Sequence, residues 1–149
     1  MGEIVGNQLA ANGAFREGTG RAARVMVVED ARPTARLLQH LLQKEGYEVA
    51  VADSAEEALR QIAQSRPDAL LLDLVLPGMS GLDLLKAVRS NAALQRCVVI
   101  VLSSHWFEKE DPELFAAGAS AQFAKPIAPS TLFRKLRELG VDKRMMAGR

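Results

Sequence analysis

Five short apolar runs, each followed by a segment long enough for a helix, leave this chain few folds to choose from. The runs are RVMVV (24–28), YEVAVA (47–52), ALLLD (69–73), CVVIVLSS (97–104) and AQFAK (121–125). Strands that are apolar along nearly their whole length are strands buried on both faces. When they alternate with helices, they build a parallel sheet covered on either side. The intervening segments carry the matching signals. TARLLQHLLQKEG (34–46) sets Leu37, Leu38, Leu41 and Leu42 on one stripe and ends at Gly46, where a left-handed cap belongs. Ser54 followed by Glu57 is a capping box opening a helix with Ala58, Leu59 and Ile62 on its apolar face. SGLDLLKAVRSN groups Leu82, Leu85 and Val88, and PSTLFRKLREL groups Leu132, Phe133, Leu136 and Leu139. The expected architecture is α/β, a single five-stranded parallel sheet with helices on both faces.

At 149 residues the chain is about one domain long. Almost half its residues are hydrophobic, enough for a core without metal or disulfide staples. The lone cysteine, Cys97, lies in an apolar strand and reads as a buried, inert thiol in a reducing compartment. Nineteen basic against eighteen acidic side chains give a net charge of +1, which removes the electrostatic footprint of direct nucleic-acid binding. No run approaches the roughly 18 apolar residues of a membrane span. The first residues have no basic stretch leading an apolar one, and Gly6 breaks the pattern for myristoylation of Gly2. A cytoplasmic protein without membrane association is expected. Residues 1–22, rich in glycine and without periodicity, read as a flexible leader, 23–140 as the domain, and 141–149 as a short tail.

Ligands of such open sheets sit outside the carboxyl ends of the strands, and here those ends are polar. The first strand stops at Glu29 and Asp30, the third at Asp73, the fourth at Ser103 and Ser104, and the fifth at Lys125 followed by Pro126. Converging carboxylates repel, and a hard, oxygen-seeking cation such as Mg²⁺ relieves them while keeping sites for water and phosphate oxygens. A carboxylate can itself attack phosphorus to give an aspartyl phosphate, with a lysine ammonium and a serine hydroxyl serving the phosphoryl oxygens. Asp73, projecting from the central strand, is the residue placed to attack. Taken singly, each group has an ordinary explanation: an acidic helix cap, a serine opening a loop, a solvated lysine. Their shared edge argues against all of these together. His40 and His105 have no ligand partners at zinc spacing.

VMVVED, LLLDLVLPGMSG, VIVLSS and AKP, in this order, with 30 residues from Asp73 to Ser103 and 52 to Lys125, resemble the receiver domain of bacterial two-component response regulators. The resemblance implies a flavodoxin-like (βα)5 fold with strand order 2-1-3-4-5. It implies Asp73 as phosphoacceptor, with Lys125 and Ser103 completing the catalytic set. Mg²⁺ would be held by Glu29, Asp30, Asp73 and the main-chain carbonyl of Val75, and the Lys125–Pro126 bond would be cis. Ser103, Ser104, Gln122 and Trp106 are then the readout positions. Two features depart from the family pattern. Gln122 stands where a switch aromatic is usual, with Phe123 pointing to the other face. Pro112 falls within the usual fourth helix, so with Asp111 as N-cap that helix should start late and be short, after a longer loop holding Trp106 and Phe107.

The implied function is that of a single-domain signalling switch, phosphorylated by a histidine kinase or histidine phosphotransfer protein. Its catalysis is limited to its own phosphorylation and dephosphorylation, so it is not a turnover enzyme. Output would pass to a protein partner through the fourth helix, fifth strand and fifth helix. A receiver-fold adaptor that binds partners independently of phosphate is the alternative. A haloacid dehalogenase-like phosphatase would need an acid where Val75 stands. A P-loop or dinucleotide fingerprint is missing, since Gly18 and Gly20 precede the first strand.

Overall fold

A computed structural model describes residues 21–104 and 111–145. Five strands form one parallel sheet: β2 (Arg24–Val28), β3 (Glu48–Ala52), β4 (Ala69–Asp73), β5 (Val98–Ser103) and β6 (Ala121–Ala124), in the order β3-β2-β4-β5-β6. That is the expected 2-1-3-4-5 order once a further short strand, β1 (Arg21–Ala22), is counted first. β1 pairs antiparallel with β7 (Arg144–Met145), a ribbon joining the two ends of the described chain that no sequence signal announced.

The inner strands β2, β4 and β5 are buried almost throughout because both their faces are covered, whereas the edge strand β3 is partly exposed. On one face Met26, Val28, Leu70, Leu72, Val99 and Val101 pack with α2 (Ala55–Gln64), α3 (Gly81–Ser90) and Leu114 of α4 (Pro112–Ala116). On the other, Val25, Val27, Leu71, Ile100 and Leu102 meet α1 (Arg32–Glu45) and α5 (Pro129–Glu138). Alternation along each strand sorts these residues between the two layers.

The helix boundaries follow local chemistry. Gly46 closes α1 at φ 111°, a conformation that favours glycine. The Ser54 hydroxyl accepts the Glu57 N–H at 3.0 Å to open α2. Asp111 caps α4 by accepting the Glu113 N–H at 2.9 Å, and α4 is only five residues long, as Pro112 foretold. One apolar assignment needs correction: Leu37 is 58% exposed. The buried stripe of α1 runs Ala35, Leu38, Leu42. At about 100° per residue Leu37 lies some 200° from Ala35 and so on the far side. Cys97 is buried and free, and burial pushes its thiol up to about 12. Among the described residues no helix is long and apolar enough to cross a membrane.

Tyr47, the chain's only tyrosine, is buried and donates its hydroxyl to the Val141 carbonyl at 3.1 Å. Burial first, and Asp142 second, push its phenol up to about 12, against about 10 in an unfolded chain. Stability from this group is therefore complete below about pH 10 and is lost as the pH climbs to about 12. Alkaline ultraviolet titration of phenolate absorbance should give a midpoint well above that of free tyrosine. A midpoint near 10 in the folded protein would contradict this packing.

Candidate functional site

The parallel register brings the strand ends to one rim. Val28 pairs with Leu72, Asp73 with Leu102, and Ser103 with Ala124. Glu29, the next residue after β2, therefore leaves the sheet beside Asp73, and Lys125 follows β6 beside Ser103. Main-chain bonds fix these exits: Glu29 N–H donates to Ala52 O at 3.0 Å and Lys125 N–H to Ser103 O at 2.7 Å. The Lys125–Pro126 bond is cis.

Glu29 is 3% exposed, Asp73 8% and Ser103 fully buried. Charges held so far from water need partners. The Lys125 ammonium supplies one to both acids, pairing with Glu29 Oε1 and, at 3.2 Å, with Asp73 Oδ2. The remaining oxygens are also used: Glu29 Oε2 accepts the Ala31 N–H at 3.1 Å, and Asp73 Oδ1 accepts the Val75 N–H at 3.0 Å. Burial is the largest influence on Glu29 and pushes its carboxyl up, with the Lys125 and Ala31 hydrogen bonds opposing. Burial also works against the Lys125 charge, but the hydrogen bonds to Glu29 and Asp73 outweigh it and hold the ammonium above its usual range.

Asp30 is exposed at the same edge. Glu29, Asp30 and Asp73 can each present a carboxylate oxygen within 4.8 Å of the others. An all-oxygen, anionic donor set of this kind suits a hard divalent cation, Mg²⁺ or Ca²⁺, over the softer transition metals. The rim thus brings together three carboxylates and a fixed ammonium, groups of the kind that phosphoryl transfer uses.

Four of the residues singled out for chemistry in the sequence, Glu29, Asp30, Asp73 and Lys125, meet at this rim, and Ser103 ends the adjoining strand. Ser104 is exposed just beyond it. Trp106, like His105, lies outside the described residues. Gln122 stands opposite Val101 in the register and shares its sheet face, while Phe123 packs in the other layer. Both polar atoms of the Gln122 amide are buried with no hydrogen-bond partner among the described residues. Sequence reasoning passed over Gly81. A β-carbon there would lie 2.8 Å from Leu74 Cα, 2.9 Å from Leu74 O and closer still to Asp73 O, so only glycine lets α3 start against the Asp73 turn. The glycine of PGMSG carried that signal.

The response regulator receiver domain model matches residues 25–137. The sensory/regulatory protein RpfC of Xanthomonas campestris is 36% identical over 129 residues, which cover 85% of this chain and 18% of that protein. The phosphate regulon transcriptional regulatory protein PhoB of Klebsiella pneumoniae is 29% identical over 116 residues, 78% of this chain and 51% of PhoB. The chain thus spans about half or less of these relatives. Among solved structures, a putative response regulator from Chloroflexus aurantiacus superposes with a TM-score of 0.74 at 34% identity, covering 79% of this chain and 97% of that one. The chemotaxis response regulator CheY4 of Vibrio cholerae gives 0.74 at 30% identity, with 79% and 98% covered.

Replacing Lys125 by Met removes the counter-charge from Glu29 and Asp73. Breaking a buried pair in this way should cost about 2 kcal/mol or more at pH 7. Glu29, already raised, rises further in the variant, so the added loss appears as the pH climbs through the carboxylate range and shrinks towards pH 4. Urea denaturation of both proteins across that range measures it. A deficit independent of pH would contradict the pairing.

Proposed function

The chain belongs to the response regulator receiver domain family, and from that premise we propose that it is a phosphorylation-driven signalling switch whose phosphoacceptor is Asp73. The donor is the phosphohistidine of a histidine kinase or histidine phosphotransfer protein. An Asp73 carboxylate oxygen attacks phosphorus as the bond to the donor imidazole nitrogen breaks. The departing nitrogen takes a proton from water, and an acyl phosphate stays on Asp73. Attack of water on phosphorus breaks its bond to the Asp73 oxygen, releases inorganic phosphate and restores the carboxylate, which resets the switch.

The observation that carries this reading is the Lys125 ammonium in contact with both Glu29 and Asp73 at the rim where the strands end. An ammonium fixed there can follow charge from the carboxylate to the phosphoryl oxygens without reorganisation. Glu29, Asp30, Asp73 and the Val75 carbonyl would hold Mg²⁺, which supplies neutralisation of phosphoryl charge when bound. Ser103, at the end of β5, would donate its hydroxyl to a phosphoryl oxygen.

The signal would leave through α4, β6 and α5 to a protein partner. Gln122 is the readout residue on this face. Its buried amide lacks partners among the described residues, which costs free energy that a rearrangement around Ser103 would recover by giving it one. The five-residue α4 and the polar Gln122 also favour a second reading, an adaptor whose binding ignores phosphate.

Incubation with acetyl phosphate and Mg²⁺ should add the mass of one phosphoryl group in intact-mass spectrometry. Asp73→Asn should abolish the adduct, and an adduct surviving that change would reject the assignment. Gln122→Leu should raise the stability of the unmodified protein by about 1 kcal/mol, since an unpaired buried amide is replaced by an apolar group. It should also shrink the amide chemical-shift changes that beryllofluoride causes in α4, β6 and α5. Unchanged shifts in both proteins would favour the adaptor.

A further inference from the structure

Arg89 stands one residue before the end of α3, at the far end of that helix from the Asp73 turn. It is half-buried, and its guanidinium is committed to main-chain oxygens of two other segments. Nε donates to Gly118 O at 2.9 Å, while one terminal nitrogen donates to Cys97 O at 2.7 Å and Leu94 O at 3.2 Å. The other terminal nitrogen lies 3.5 Å from the Ser120 hydroxyl. Carbonyls from the segment leading into β5 and from the turn between α4 and β6 thus meet on one side chain.

The turn is shaped to receive it. Gly118 has φ 112°, and a β-carbon there would lie 2.5 Å from Arg89 Cγ and 2.8 Å from its Nε. Glycine is needed for the backbone conformation and again for the room that the arginine stem fills. The same turn closes α4, with the Gly118 N–H donating to Phe115 O and the Ala119 N–H to Leu114 O, each at 3.0 Å. Ser120 then joins the sheet through Val99: its N–H donates to Val99 O at 2.7 Å, and its hydroxyl accepts the Val99 N–H at 3.0 Å. α4 itself is five residues long and buries only Leu114. A helix so short owes its placement to what holds its ends.

We infer that Arg89 is a positioning residue for the output face. It clamps the C-terminal end of α4 and the start of β6 to α3, so that phosphorylation moves α4 only by a swing about Gly118. This extends, and rests on, the reading that Asp73 is phosphorylated and that α4 and β6 carry the signal. A guanidinium suits the role, because its donors are rigidly spaced and it stays charged. Hydrogen bonds from a charged donor are also about twice as strong as neutral ones. None of those that Arg89 makes reaches the acidic rim, so the clamp is separable from the phosphoryl chemistry.

The test follows the backbone amides of the full chain by nuclear magnetic resonance, with beryllofluoride and Mg²⁺ mimicking the phosphoryl group. In the unaltered protein the shifts should be large at residues 111–114 and small at 117–120. Distance from Asp73 contributes to that contrast, so Arg89→Met is the deciding variant. Its shifts at 117–120 should grow to match those at 111–114, while acetyl phosphate still adds one phosphoryl group to Asp73. Circular dichroism melting checks that the variant folds. If it does not, Arg89→Lys keeps the charge, lacks the fork that spans the three carbonyls, and should enlarge the same shifts. Three results would overturn the clamp: unaltered protein shifting as much at 117–120 as at 111–114, an unchanged pattern in the variant, or loss of its phosphoryl adduct. Absence of any response at residues 29–31 and 73–75 would instead reject the phosphorylation reading, and the clamp's role with it.

Discussion

One ammonium holds the working end of this molecule together. Lys125 touches Glu29, 96 residues earlier, and Asp73, 52 residues earlier. Two carboxylates so nearly removed from water would repel each other without it. The lysine makes their ionised forms compatible with burial, and in doing so ties β6 to β2 and β4 across the sheet. The pair is weak evidence for net stability, because desolvation offsets much of its attraction. Its stronger consequence is positional. An acid pair and a cation held at a fixed spot are arranged in advance for a group that arrives with its own negative charge.

That spot exists because the sheet is parallel. With β2, β4, β5 and β6 all running the same way, the residue after each strand emerges on the same edge. The apolar strand interiors then serve a second purpose beyond burial, since Leu70 to Leu72 and Val98 to Leu102 fix the height at which Asp73 and Ser103 appear. Gly81 matters for the same reason, as its missing side chain lets α3 begin against the Asp73–Leu74 backbone.

Much of this was legible in the residue pattern. Uninterrupted apolar strands, the Gly46 stop, the Ser54 cap and the Asp111–Pro112 start each have a local cause, and each appears where that cause put it. The polar residue after each strand was equally readable, because a strand end is a local property. What the sequence could not carry were relations between distant segments. That Lys125 bridges two acids, that Asp68 clasps Arg21 and that β1 pairs with β7 are pairings between positions with no shared local pattern. Leu37 failed for a subtler reason. Apolar identity and helical spacing admitted two overlapping stripes, and only packing against the sheet selected the one through Ala35, Leu38 and Leu42.

The central claim, that Glu29, Asp30 and Asp73 form one cation site beside Lys125, is tested most directly by adding Mn²⁺ to isotope-labelled protein and following paramagnetic broadening of amide signals. Broadening should begin at residues 29–31, 73–75 and 103–104, spare the opposite rim where the strands begin, and be displaced by Mg²⁺. Broadening centred elsewhere, or none that Mg²⁺ reverses, would contradict it.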